Sequence, residues 1–423
     1  MGEMIRPTRR FGAIGTVVVL AAMLLTGCSG SSLHADFRAA FAGDDAVAGF
    51  ELSTADNMPF TDGLSADVRA RHTASADELR ALADRLSGFA RDHAGDEVRI
   101  TVEAEDVTVP VFADAAISAD TMTSALDLRD DDRVDSVAFT TSAGQQRVTG
   151  ASLHLAEGGV ERAIAAFDLA RSVPVMLDDV AGGSSLHLTI RADEAVKIDG
   201  IAGTWIDDVE RAWTAVSSAV PTTGLRAEPG RVEVMLATET DLDTARALSE
   251  TVTDDLVIVF ASPLVALGAN ASGNSVRALL HALEPANVTG VRSVWTDDER
   301  AELFADSVEQ ADALAAASSS LPEAEVFAML SVTVGSPDAP LLSVTAVPAR
   351  LGDAVEAAGK VLASQDVGSV VSSPRSTTLV LVGDASDAEL ERRLPTLSGL
   401  AEEGARVCAN RSDGTGVCVT AAP

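Results

Sequence analysis

An alternating apolar stretch followed by a capped amphipathic helix recurs along this chain, and that recurrence restricts the fold more than any other feature. Arg69–Thr73 leads into Ser75-Ala-Asp-Glu78, after which Leu79, Leu82, Leu86 and Phe89 share one helical face. Val232, Val234 and Leu236 alternate before Thr240-Asp-Leu-Asp243, which opens a helix carrying Leu242, Ala245, Leu248 and Val252. Leu379 and Leu381 precede Ser386-Asp-Ala-Glu389, then Leu390, Leu394 and Leu397. In each case a hydroxyl can accept from an orphan amide while an acid three residues on can reach back to the cap. Thr296-Asp-Asp-Glu299, after the strand-like Val291–Trp295, offers a fourth start of this kind. Pro395 is expected to kink the last helix or begin a new turn.

Further strands fill the intervals. Val98, Ile100 and Val102 fall on one face, and Leu256–Phe260 is continuously apolar, as in a strand covered on both sides. Val326, Ala328, Leu330, Val332 and Val334 alternate, and Gly335-Ser-Pro337-Asp338 turns the chain towards Leu342, Val344 and Ala346. Ile206, Val209, Trp213, Val216 and Val220 form one helical stripe. Residues 64–141 therefore read β-α-β-β-α-β, an order that resembles the ferredoxin-like split βαβ unit. Similar units are expected near residues 145–229 and 231–295, with a last region to Val419. The expected class is α+β: tandem ferredoxin-like units with mixed or antiparallel sheets covered by helices. A Rossmann-like sheet is the main rival and lacks a glycine fingerprint after a strand.

At 423 residues the chain is long enough for two or three domains, and its 47% hydrophobic and 22% charged content is that of a globular protein. Its 31 Lys and Arg face 64 Asp and Glu, a net charge of −33 that repels nucleic-acid phosphates and anionic headgroups. Aromatic residues are 4%, with no Tyr, so base- or sugar-stacking platforms are scarce.

Arg6, Arg9 and Arg10 precede an apolar run from Phe11 to Leu25 that ends in Leu25-Thr26-Gly27-Cys28. This segment resembles the signal peptide and lipobox of bacterial lipoproteins. The resemblance covers about the first 30 residues and implies that Cys28 is diacylated and becomes the mature N-terminus. Two acyl chains anchor stably where one does not. The expected organisation is a signal peptide (1–27), a lipid-anchored tether (28–62), an N-terminal α/β half of two units (63–229) and a C-terminal half (230–423). The tether reading rests on small polar residues interrupted by Leu33, Phe37, Phe41 and Phe50, with order beginning near Ala46–Leu52.

No phosphate loop, HExxH zinc site or G-x-S-x-G elbow is present. Gly182-Gly183-Ser184-Ser185 reads as a connector rather than a nucleophile turn. The histidines at 34, 72, 93, 154, 187 and 281 are scattered. His281 and Glu284 have metal-sharing i,i+3 spacing but no companion ligands. His154 and His187 sit in strand patterns without an identifiable nucleophile. Arg129-Asp-Asp-Asp-Arg133 lacks the loop spacing of a calcium site and reads as a solvated connector. Trp213 belongs to a core stripe, while Trp205 and Trp295 are open to either role. No catalytic residue, metal ligand or cofactor is assigned.

Cys408 and Cys418 are the two cysteines left once Cys28 is lipidated, and export permits their oxidation. Pairing them also pairs Ala409 with Val417, Asn410 with Gly416 and Arg411 with Thr415, leaving Ser412-Asp413-Gly414 as a loop with Gly at a left-handed position. Both sulfurs then share one face of a hairpin, which predicts a disulfide. The expected function is a membrane-anchored extracytoplasmic lipoprotein acting as a non-catalytic interaction or cell-envelope scaffold module. Its partners would be the membrane, through lipid on Cys28, and a cell-envelope protein, with no nucleic acid. The alternatives are an extracytoplasmic hydrolase with a site assembled from distant loops, and a solute-binding lipoprotein.

Overall fold

The computed structural model describes residues 30–54, 63–94, 97–182, 185–252, 256–284, 290–398 and 400–421, and divides at Ile206/Asp207 into two compact units. It is α+β, with 11 α-helices and two large mixed sheets among the described residues.

In the first unit, strands β1 (Val47–Ser53), β2 (Gly63–Ala70), β3 (Glu97–Ala104), β4 (Val107–Val111), β5 (Val134–Thr140), β6 (Gly150–Leu155), β7 (His187–Ala192) and β8 (Val196–Ile201) lie side by side in chain order. Helices α1 (Gly30–Phe41), α2 (Ala76–Asp92), α3 (Ala115–Arg129), α4 (Ala163–Met176) and the single turn α5 (Asp178–Ala181) connect or flank them. The repeating unit is a hairpin followed by a helix. Hairpin partners such as β3 and β4 are antiparallel, whereas strands joined through a helix, such as β2 and β3, are parallel.

Period-two alternation gives this sheet two unlike faces. Leu64, Ala66 and Val68 pair beside Val98, Ile100 and Val102 on the buried face, where Leu79, Leu82 and Leu86 of α2 also lose their exposure. Asp67, Arg69, Arg99 and Glu103 point to the opposite face, which stays polar and accessible. The start of α2 is fixed locally by a full capping box: the Ser75 hydroxyl accepts from the Glu78 amide (3.3 Å) and the Glu78 carboxylate accepts from the Ser75 amide (2.7 Å). Such a cap is worth about 1 kcal/mol.

The second unit contains β9 (Thr222–Glu228), β10 (Arg231–Leu236) and β11 (Val257–Ala261), paired in order, and a nine-stranded sheet. Its strands are β12 (Val265–Leu267), β13 (Val291–Thr296), β14 (Arg300–Ala305), β15 (Met329–Ser336), β16 (Ala339–Ala346), β17 (Val367–Ser373), β18 (Ser376–Leu381), β19 (Arg406–Asn410) and β20 (Gly416–Thr420). Helices α6 (Trp205–Ser217), α7 (Leu242–Ser249), α8 (Asn274–Leu283), α9 (Val308–Ser318), α10 (Pro348–Leu362) and α11 (Asp387–Ser398) accompany these strands. The apolar strand near 256–260 is covered on both sides only from Val259 onward: Phe260 is buried beside it, Val259 and Ala261 join the core of the nine-stranded sheet, and Val257 is exposed.

Four sequence expectations need correction. The ferredoxin-like unit requires a strand inserted between the two parallel strands of its βαβ element, but β2 and β3 are bonded directly, Leu64 opposite Val98, and the order runs consecutively. The 28–62 segment is not a free tether, because α1 buries Leu33, Phe37 and Phe41 and β1 pairs with β2. The boundary lies at 206/207 rather than 229/230, since β9 is the hairpin partner of β10, Leu225 opposite Val234. Finally, Thr296–Glu299 starts no helix. Asp298 takes φ 70°, the Asp297 carboxylate accepts from the Arg300 amide (2.7 Å), and a tight turn sends the chain back as β14. Pro395 lies inside α11, which continues to Ser398.

Candidate functional site

A cleft of about 1300 Å³ opens in the first unit where β4 parts from β5. Its cause is one residue. The parallel ladder between these strands consists of two pairs, Val107 with Val137 and Thr108 with Ala138, preceded by the Val137 amide donating to the Asp106 carbonyl (2.8 Å). In this register the next bond would run from the amide of residue 110 to the carbonyl of Phe139. Residue 110 is proline and has no N–H to give, so the ladder stops there. Further along, Ser118 of α3 seals the end of β4: its hydroxyl accepts from the Phe112 amide (2.8 Å) and donates to the Phe112 carbonyl (3.0 Å).

The cleft wall therefore carries the free edge of β5 at Phe139–Thr141, beside an apolar floor that includes Val111, Phe112 and Phe139. Its charged residues are Arg91, Glu97, Arg99, Asp114 and Arg147. The two acids are engaged. Glu97 pairs with Arg99, and the Asp114 carboxylate caps α3 by accepting from the Ala116 amide (2.9 Å). Arg147 donates to the Asp179 carbonyl (3.2 Å) and has no carboxylate partner among the described residues; the Arg91 guanidinium has none there either. The cleft thus offers backbone hydrogen bonds, an apolar floor and two guanidinium groups without a carboxylate partner among the described residues.

The histidine, acid and hydroxyl that lie together do so elsewhere, on the accessible face of β7 and β8. The Asp199 carboxylate lies 2.9 Å from His187 Nε2, accepts from Thr189 Oγ1 (2.9 Å), and is 2.7 Å from Lys197 Nζ. Burial raises the Asp199 pKa, but the bonds from Lys197, Thr189 and His187 outweigh it and bring it down to about 2. Thr189 donates to the acid rather than to the imidazole, so the trio does not activate a nucleophile.

The other residues singled out in the sequence are dispersed. Cys28 lies outside the described residues. Cys408 and Cys418 face each other across β19 and β20 with their sulfurs 2.11 Å apart, and Gly414 in the connecting loop has φ 85°. His281 Nδ1 lies 3.5 Å from Glu284 on an exposed helix surface. Arg129 pairs with Asp130 and Arg133 with Asp131, so the charge cluster neutralises itself locally. His154 is exposed in β6, and Gly182 ends α5 in a left-handed conformation; residues 183 and 184 lie outside the described part. Trp213 is buried, Trp205 Nε1 donates to the Ile201 carbonyl (2.8 Å), and Trp295 is exposed on β13. Among the described residues, no group of three or more His, Cys, Asp or Glu has metal-binding geometry, and no helix is long and apolar enough to cross a membrane.

Sequence reasoning missed the cleft. Its signal was Pro110 within Val-Thr-Val-Pro-Val, since proline inside an alternating strand marks an edge or an interruption. No protein-family model, curated protein or solved structure matches this chain.

Proposed function

We propose that this protein is an extracytoplasmic lipoprotein, held to the membrane by lipid on Cys28, whose α+β body is a non-catalytic interaction module of the cell envelope. The observation carrying this reading is the interrupted ladder. A mid-sheet strand edge beside an apolar floor is built for association, because edge N–H and C=O groups are templates for another chain. The lipid address follows from the Arg-rich start, apolar run and Leu-Thr-Gly-Cys28. In a Cys28→Ala variant, lipid incorporation is expected to disappear and the precursor to remain uncleaved; mass spectrometry finding an unmodified Cys28 in the native protein would remove the anchor.

The interaction reading is tested by a photo-crosslinking residue placed at Ile117, on the cleft, in intact cells. A comparison residue is placed at Lys360, on α10 of the other unit. One reproducible envelope protein captured from position 117 and not from 360 is the expected result. Capture of nothing specific from either position, across growth phases, would count against an interaction module.

A further inference from the structure

We propose that the cleft binds an extended acidic peptide segment of its partner, which adds as a strand along the free edge of β5. The inference rests on the interaction reading and names the chemistry of the occupant.

The backbone supplies the first argument. Because Pro110 cannot donate, the Phe139 carbonyl lacks the partner that the β4–β5 register would give it. The Thr141 amide, which would have donated to the Pro110 carbonyl, has no hydrogen bond among the described residues. An acceptor and a donor two residues apart on one strand edge match one residue of an extended chain that offers both an N–H and a C=O. A compact solute does not have this repeat.

Charge supplies the second argument. The protein has 64 acids for 31 Lys and Arg, and arginines such as Arg85 and Arg133 find carboxylate partners in Asp44 and Asp131. Yet Arg91 and Arg147, both lining this cleft, have no carboxylate partner among the described residues, while the cleft's two acids are already bonded. An incoming Asp or Glu would complete either guanidinium through a forked, charge-assisted pair.

The test is a display library of random peptides about six residues long, a usual strand length, panned on the full lipidated protein in detergent. Enriched peptides are then measured against Pro110→Thr and Arg91→Glu. Threonine at 110 restores the missing N–H and lets the ladder continue. Hydrogen exchange is expected to show a newly protected residue-110 amide, with peptide affinity lower by at least tenfold. Arg91→Glu is expected to lower affinity for acid-bearing peptides by about fivefold or more and to leave their lysine analogues unchanged or tighter. If panning enriches no peptide whose binding depends on positions 110 and 91, the proposal is wrong. Specific crosslinks from position 117 in cells, with no such peptide selected, would overturn strand addition while leaving the interaction module standing.

Discussion

Truncating Phe37 tests whether the N-terminal helix belongs to the folded body. Phe37 is fully buried, and its ring centroid lies 4.8 Å from Phe41, 5.4 Å from Phe50 and 5.1 Å from Phe89. The last two contacts are edge-on, the arrangement favoured by ring quadrupoles. Three elements, α1, β1 and α2, thus meet on one side chain. Phe37→Ala removes its burial and leaves a cavity where those rings met, a change that costs about 3–5 kcal/mol. At about 2–4 °C per kcal/mol for a unit of this size, the melting transition of the first unit should fall by roughly 10 °C. Because α1 holds to the body chiefly through Leu33, Phe37 and Phe41, limited proteolysis should also cut near residues 42–46 sooner than in the parent. Phe50→Ala, at a less buried ring, should do less. A Phe37→Ala protein with unchanged denaturation midpoint and proteolysis pattern would restore the tether reading and refute the packing argument.

Three further outcomes follow from other sites. Cys408 and Cys418 close a loop with a sequence separation of 10, so Cys408→Ala should cost about 2–3 kcal/mol; two thiols alkylated without reduction in the native protein would contradict the bond. Asp199 titrates at about 2 when folded, so its contribution is present above the ordinary carboxylate range near pH 4 and is lost as pH falls towards 2. Asp199→Asn should cost about 1 kcal/mol at neutral pH once solvent screening is allowed for, and a flat stability profile in the parent between pH 4 and 2 would argue against it. Glu233 is the opposite case: burial raises its pKa, only partly offset by Arg226 at 3.8 Å and by Arg231. Its ionised form therefore costs stability as pH rises through the raised value, and Glu233→Gln should gain roughly 0.5–1 kcal/mol at pH 7 by denaturant unfolding. A loss instead would mean that the ion pair dominates.

Element identity was legible where a local signal acts alone. The Ser75 and Ser386 caps each recruit the acid three residues on, and α6 buries Ile206, Val209, Trp213 and Val216 of the expected stripe, while Val220 is buried just beyond the helix end. The same signature misled at Thr296, because a hydroxyl or carboxylate that accepts from an amide two or three residues on serves a turn as well as a helix start. Only the alternation of Ala301, Leu303 and Ala305 separates the two outcomes. Strand order was not legible, since periodicity fixes which face a residue takes and not which strand lies beside it. Leu33, Phe37 and Phe41 carry i,i+4 spacing that reads as one helical face, yet among glycine, serine and alanine they looked like isolated hydrophobes. The cleft depends on a missing hydrogen bond, and its location becomes visible only when the β4–β5 register is known.

If Cys28 carries lipid as proposed, the docking of α1 would also set how far the body reaches from the membrane. Leu33, the first buried side chain among the described residues, lies five residues after Cys28, and five residues span at most about 18 Å when fully extended. A flexible leash over all of 28–62 would have given a root-mean-square reach of roughly 30 Å. With lipid on Cys28, the body would ride close to the headgroups on a short mooring, with its orientation restricted. Its acidic surface would resist contact over about one screening length of 8 Å at physiological salt. Partners would then be selected partly by altitude: those within the layer immediately above the bilayer are within reach, and those deeper in the envelope must extend a segment down to it.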